Sequence, residues 1–98
     1  MILVRDVFRL KFGKAKDAKA LMKESKNLMD EKMIKRSRLL FDLVGPSYTM
    51  VMELTYENLA EFEKESSGGP SNPGWQEWYQ KFILIVEKSH REIFTIQE

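Results

Sequence analysis

Leu39-Leu40-Phe41-Asp42-Leu43-Val44-Gly45-Pro46-Ser47-Tyr48-Thr49-Met50-Val51-Met52-Glu53-Leu54-Thr55 is the stretch on which the reading of the fold turns. Before the Gly45-Pro46 turn signal, Leu39, Phe41 and Leu43 point one way, and Arg38, Leu40, Asp42 and Val44 the other. After it, Tyr48, Met50, Met52 and Leu54 share one face, and Thr49, Val51, Glu53 and Thr55 the opposite one. A period of two on both sides of a turn predicts a β-hairpin, with strands over 35–44 and 47–55.

Upstream, the period lengthens. Ala15, Ala18, Leu21, Met22, Leu28, Met29 and Met33 fall at helical spacing, which predicts an amphipathic helix over 14–33. Its lysines, Lys14, Lys16, Lys19, Lys23 and Lys26, sit mostly off that stripe and form a basic solvent face. Before Gly13, residues 2–12 alternate again. Ile2, Val4, Phe8, Leu10 and Phe12 share a face interrupted by Asp6, opposite Leu3, Arg5, Val7, Arg9 and Lys11. This is a first strand.

Downstream, Thr55 is a plausible N-cap, with Glu57 in the first turn where a negative charge suits the helix dipole. A short helix follows through Leu59, Ala60 and Phe62. The Ser/Gly/Pro-rich run 66–74 breaks it and reads as a mobile surface loop. Trp75, Trp78, Tyr79, Phe82, Ile83 and Val86 then mark a helix over 75–87, and Ile93, Phe94 and Ile96 a last strand over 90–97.

The order strand, helix, strand, strand, interrupted helix, strand predicts an α+β fold of the ferredoxin-like βαββαβ plan. Its four-stranded antiparallel sheet has order 4-1-3-2, with helices on one face. The chain of 98 residues reads as one domain over 1–98. The uncovered face would carry Leu3, Val7, Leu40, Val44 and Val51 among Arg5, Arg9, Arg38, Asp42 and Glu53. That is too apolar to stay wet and too charged for a dry core. A homodimer packed through its sheet faces is therefore expected.

Composition narrows the chemistry. The absence of cysteine removes disulfides, thiol nucleophiles, iron–sulfur clusters and thiolate zinc sites. The single histidine removes a multi-histidine metal site within one chain. These residues call for no cofactor. No apolar run nears the ~20 residues that span a bilayer. The apolar Met1-Ile2-Leu3-Val4 ends at Arg5 and Asp6, too early for a signal peptide, so a cytoplasmic protein without a membrane partner is expected.

Residues 1–45 hold twelve Lys/Arg against six Asp/Glu, a balance of +6, and residues 46–98 hold four against nine, a balance of −5. Such asymmetry marks an anion-binding face, mutually attracting surfaces or solvated helix faces. A net charge of +1, no aromatic stacking platform and no recognised motif argue against nucleic acid.

Several stretches, taken in order, resemble the dimeric α/β-barrel superfamily, and most closely its NIPSNAP-like group. Leu10-Lys11-Phe12-Gly13-Lys14 resembles its strand-to-helix turn, with Phe12 where proline is usual. Val44-Gly45-Pro46, Met50 to Leu54 and Tyr56 to Phe62 resemble its hairpin and second-helix entry. Trp78 to Phe82 and Arg91 to Phe94 resemble its last helix and strand. The resemblance implies a ferredoxin-like protomer and a dimer that closes a barrel. It implies no single activity, because members include cofactor-free monooxygenases, haem-degrading enzymes, isomerases and proteins with no known reaction. Where NIPSNAP-like chains often carry Arg-x-Tyr, this one has Asp6-Val7-Phe8. The histidine of the haem-degrading relatives' second helical region has no counterpart.

Candidate chemistry follows from side-chain type. Glu53 and His90 are the candidate acid–base groups. Arg5, Arg9, Arg38 and Asp42 would line a polar cleft that orients an anionic or carbonyl-bearing ligand. The same residues would also serve as ion pairs between strands or across a dimer. His90 equally suits a surface turn. Trp75 reads either as the rim of a pocket mouth beside the loop or as a core anchor, and Trp78, Tyr79 and Phe82 as core. The expected function is binding of a small organic molecule on the non-helical sheet face; the resemblance implies a cofactor-free monooxygenase-like enzyme as one form of it and leaves catalysis open. The alternative is a non-catalytic homodimeric interaction or regulatory module.

Overall fold

The computed structural model describes residues 1–67 and 74–97. Alternation over the first segment yields β1 (Ile2–Leu10), followed by α1 (Ala15–Ser25), a 3-10 turn (Lys26–Leu28) and α2 (Glu31–Arg36). The hairpin strands are β2 (Ser37–Phe41) and β3 (Thr49–Tyr56). Then come α3 (Leu59–Ser67), α4 (Gly74–Ile83) and β4 (Val86–Thr95). The sheet order is β2-β3-β1-β4, all pairs antiparallel, which is the anticipated 4-1-3-2 arrangement. Among the described residues no helix is long and apolar enough to cross a membrane.

The helical layer lies on the face carrying Val4, Phe8 and Leu10 of β1 and Met50 and Met52 of β3. Leu10 and Met50 join Ala18 and Met22 of α1, Trp78 and Phe82 of α4, and Ile85 in one buried cluster. Phe82 stacks on Trp78 at 4.9 Å and meets Phe8 edge-on at 5.0 Å. The Trp78 indole Nε1 donates to the Leu21 carbonyl at 2.6 Å, which ties α4 to α1. Burial of large aromatics with their polar atom satisfied is the strongest anchor a small core has. Tyr79, expected in the core, is instead 55% exposed.

The structure moves several boundaries, each for a local reason. The helix expected over 14–33 is interrupted. Ser25 Oγ donates back to the Met22 carbonyl, and Asp30 caps a new helix by accepting the Met33 N–H at 2.7 Å. The short α2 takes up residues expected in the strand. At the hairpin, Asp42 and Thr49 close the ladder through two bonds, Asp42 N–H to the Thr49 carbonyl and Thr49 N–H to Asp42 Oδ1. Leu43 and Val44 therefore lie in the turn and are about fully exposed, at 95% and 94%.

Phe12 lies beyond β1 and is 88% exposed, its ring 5.1 Å from that of Tyr48. Asn58, not Thr55, caps α3, accepting the Glu61 N–H at 3.0 Å, while Thr55 stays in β3. Val86 leaves the helical stripe to pair with Leu10, so β4 starts early and His90 falls within it. Of the loop expected over 66–74, Ser66 and Ser67 end α3, Gly74 opens α4, and 68–73 lie outside the described residues.

Candidate functional site

Register places the other sheet face in rows running across the strands. One row reads Arg38, Glu53, Arg5, Glu92 from β2 to β4, alternating in sign at every step. The next reads Leu40, Val51, Val7, His90. Beyond it stand Thr49, Arg9 and Lys88, with Asp42 at the β2 end. On the opposite flank lie Thr55, Leu3 and Phe94. Among the described residues, the buried cluster of helical side chains draws only on the reverse face.

Glu53 is the centre of the charged row and is only 5% exposed. Both Nε and Nη2 of Arg38 donate to its Oε1, at 2.9 and 2.6 Å. Its Oε2 lies 4.0 Å from Arg5 Nε, and Glu92 Oε1 lies 3.8 Å from the same nitrogen. Neither distance is a hydrogen bond. Arg5 Nε is thus a buried donor without an acceptor among the described residues. A buried carboxylate is costly unless paired and hydrogen-bonded, and Arg38 meets that requirement.

His90 stands next to this row, opposite Val7, with Nε2 3.2 Å from Glu92 Oε2. The row therefore joins Arg5, Arg38 and Glu53 and brings His90 alongside. Arg9 is on the same face one row further on. Asp42 uses a carboxylate oxygen to bind the Thr49 N–H at the rim. Trp75 is not brought to this face. It lies in the first turn of α4 in the helical layer, half-buried, with its ring 5.5 Å from Trp78. Glu92 and Lys88 complete the face and were missing from the sequence-derived set. Alternation through β4 would have found them, since both share the parity of His90.

Two recesses flank the charged row. One, of about 400 Å³, is lined by Leu3, Lys35, Arg36, Arg38, Glu53 and Ile96, among others. The other, of about 360 Å³, lies against Val7, Arg9, Pro46, Thr49, Lys88 and His90. On the reverse face, Asp6 and Phe8, which stand in place of an Arg-x-Tyr pair, make other contacts. Asp6 Oδ1 accepts from Arg91 Nε at 2.7 Å, and Phe8 packs on Phe82. Among the described residues there is no cluster of three or more His, Cys, Asp or Glu able to hold a metal ion.

No family model matches the chain, and no curated protein matches it. Solved structures share its fold. A NIPSNAP family protein from Agrobacterium tumefaciens superposes with a TM-score of 0.86 at 15% identity, over 99% of this chain and 93% of that one. An uncharacterised NIPSNAP-like domain protein from Burkholderia xenovorans gives 0.84 at 17% identity, over 98% and 84%. A candidate antibiotic biosynthesis monooxygenase from Deinococcus radiodurans gives 0.68 at 12% identity, over 100% and 94%. At such identities the likeness is one of fold, and it extends over nearly the whole length of each chain.

Proposed function

We propose that this protein is a cytoplasmic homodimer whose sheet faces meet and enclose a cleft for a small organic molecule. The observation that carries the reading is the buried Glu53, set in a ladder of alternating charge on the face opposite the helices. A mixed surface of this kind gains from a cover that removes Leu3, Val7, Leu40 and Val51 from water and leaves room beside the charges. The neighbouring NIPSNAP structures share the protomer fold on which the reading is built.

In an enzymatic version, His90 takes the proton of a bound substrate, and Glu92, beside its Nε2, orients the ring. An electron-rich aromatic or quinol-like substrate, deprotonated there and reacting with dioxygen, fits the monooxygenase-like neighbour. A second reading, a dimeric module without catalysis, is favoured by one feature. Glu53 is already held by Arg38 and is poorly placed to act as a base.

Sedimentation of the full chain and of Val7→Glu tests the assembly. The wild type sediments as a dimer at micromolar concentration, and the variant as a folded monomer with unchanged far-UV circular dichroism. A monomeric wild type overturns the proposal.

A further inference from the structure

The charged row and the row two steps away obey different rules. Arg5 has a carboxylate opposite it on each neighbouring strand, Glu53 on β3 and Glu92 on β4. Arg9, four residues along the same strand and on the same face, has none. Its partners in register are Thr49 on β3 and Lys88 on β4. Like charges directly opposite on antiparallel strands are destabilising. Among the described residues neither Arg9 nor Lys88 has an ion-pair partner. The nearest acid along the row, Asp42, spends an oxygen on the Thr49 N–H.

Although Lys88 belongs to the edge strand β4, the pair lines a recess. Arg9, Lys88 and His90 share one recess of about 360 Å³ with the apolar Val7 and Pro46 and the hydroxyl residue Thr49. No carboxylate lines it. The register between β1 and β4 slips at Arg9/Leu10, beside the recess, and such irregularities re-aim side chains at the ends of ladders. The recess at the other flank differs, because Glu53 sits in its wall.

We propose that this recess binds the head group of an organic carboxylate, with Arg9 and Lys88 as its counter-charges and His90 as a hydrogen-bonding wall. The apolar body lies over Val7 and Pro46, toward the Leu40, Val51, Val7 row. An anion between Arg9 and Lys88 turns a repulsive cross-strand pair into two charge-assisted contacts. The apolar floor selects an organic anion over an inorganic one. The inference rests on the reading that this face binds a small molecule, and adds where the molecule sits and which charge it carries.

The chain has one histidine, so a single imidazole signal reports on the recess. The 98-residue protein is titrated with sodium benzoate, sodium octanoate and inorganic phosphate at fixed ionic strength, following that signal by NMR and the thermal midpoint in parallel. Benzoate or octanoate is expected to move the His90 resonance saturably, and more tightly than phosphate. Arg9→Gln and Lys88→Gln each weaken that binding about tenfold, the loss of one charge-assisted contact. Each also raises the thermal midpoint of the ligand-free protein, because it removes the like-charge pair. Lys81→Gln, the same charge change in the helical layer, does neither.

Three results overturn the proposal. Phosphate binding as tightly as the organic anions removes the apolar body. Carboxylate binding that survives at Arg9→Gln and Lys88→Gln but is lost at Arg38→Gln moves the head group to the other recess, and leaves the small-molecule reading standing. No response to any of the three anions removes the carboxylate site, and leaves the small-molecule reading to the adduct seen or not seen by native mass spectrometry.

Discussion

Arg38 and Glu53 are joined twice, with Nε and Nη2 of the guanidinium both donating to the same carboxylate oxygen at 2.9 and 2.6 Å. The carboxylate is buried and the guanidinium side chain is 69% exposed, so the two ends of the pair are not equivalent. Removing the exposed end strands a buried charge. Arg38→Ala is expected to cost about 1–2 kcal/mol, after allowance for solvent screening at the arginine. Glu53→Leu removes the buried charge itself and is expected to cost less, because the Arg38 side chain it leaves unpaired is exposed and is hydrated by solvent. Urea unfolding of both variants checks the order. A neutral Arg38→Ala would mean the pair contributes nothing.

The core makes a sharper demand at Trp78. Its indole N–H satisfies the Leu21 carbonyl between two helices, and its ring stacks on Phe82. Trp78→Phe keeps an aromatic ring but loses the hydrogen bond between α4 and α1 and part of the buried indole, an expected loss of about 1–3 kcal/mol. Phe82→Ala leaves a cavity under both Phe8 and Trp78 and is expected to cost about 3–5 kcal/mol. Denaturant midpoints at constant slope measure both.

Tyr56 gives stability a dependence on alkaline pH. Burial raises its phenol above the ordinary value of 10.0, and Glu65 adds to this, while Arg36 and Arg91 pull the other way. The folded state therefore prefers the neutral phenol. Its contribution is fully present below about pH 10 and is lost as pH rises through the raised value. Tyr56→Phe should show a shallower loss of stability than wild type from about pH 9 to about pH 11. Parallel curves for the two proteins would contradict this.

Gly45 isolates a backbone effect. It has φ +133° in the β2–β3 turn, and an added Cβ there meets nothing within 4 Å. Gly45→Ala is expected to cost about 1 kcal/mol or more through conformation alone, with no clash to relieve. The same change at an exposed glycine of ordinary φ would cost far less.

Topology was readable because each strand keeps a period of two for long enough to fix its parity. Met50, Met52 and Leu54 share a face with Tyr56, and Val51 and Glu53 share the other, as their order in the chain requires. Boundaries were less legible where side chains override periodicity. Asp30 starts a helix inside an apolar stripe, Asp42 ends a strand two residues before the alternation stops, and Val86 fits both a helix and a ladder. The candidate site followed parity. Arg5, Arg38 and Glu53 meet because register makes them neighbours, whereas Trp75 belongs to a helix on the reverse face. Lys88 and Glu92 share the parity of His90 and were legible to that extent, but that they face Arg9 and Arg5 is set by the pairing of β4 with β1, which local sequence does not carry.

Native mass spectrometry of the freshly purified protein bears most directly on the covered sheet face. The account predicts the mass of a dimer, carrying a reproducible small-molecule adduct that is lost on collisional activation. A monomer at micromolar concentration, with no retained ligand, would contradict it and leave the ladder through Glu53 as a solvent-facing ion network.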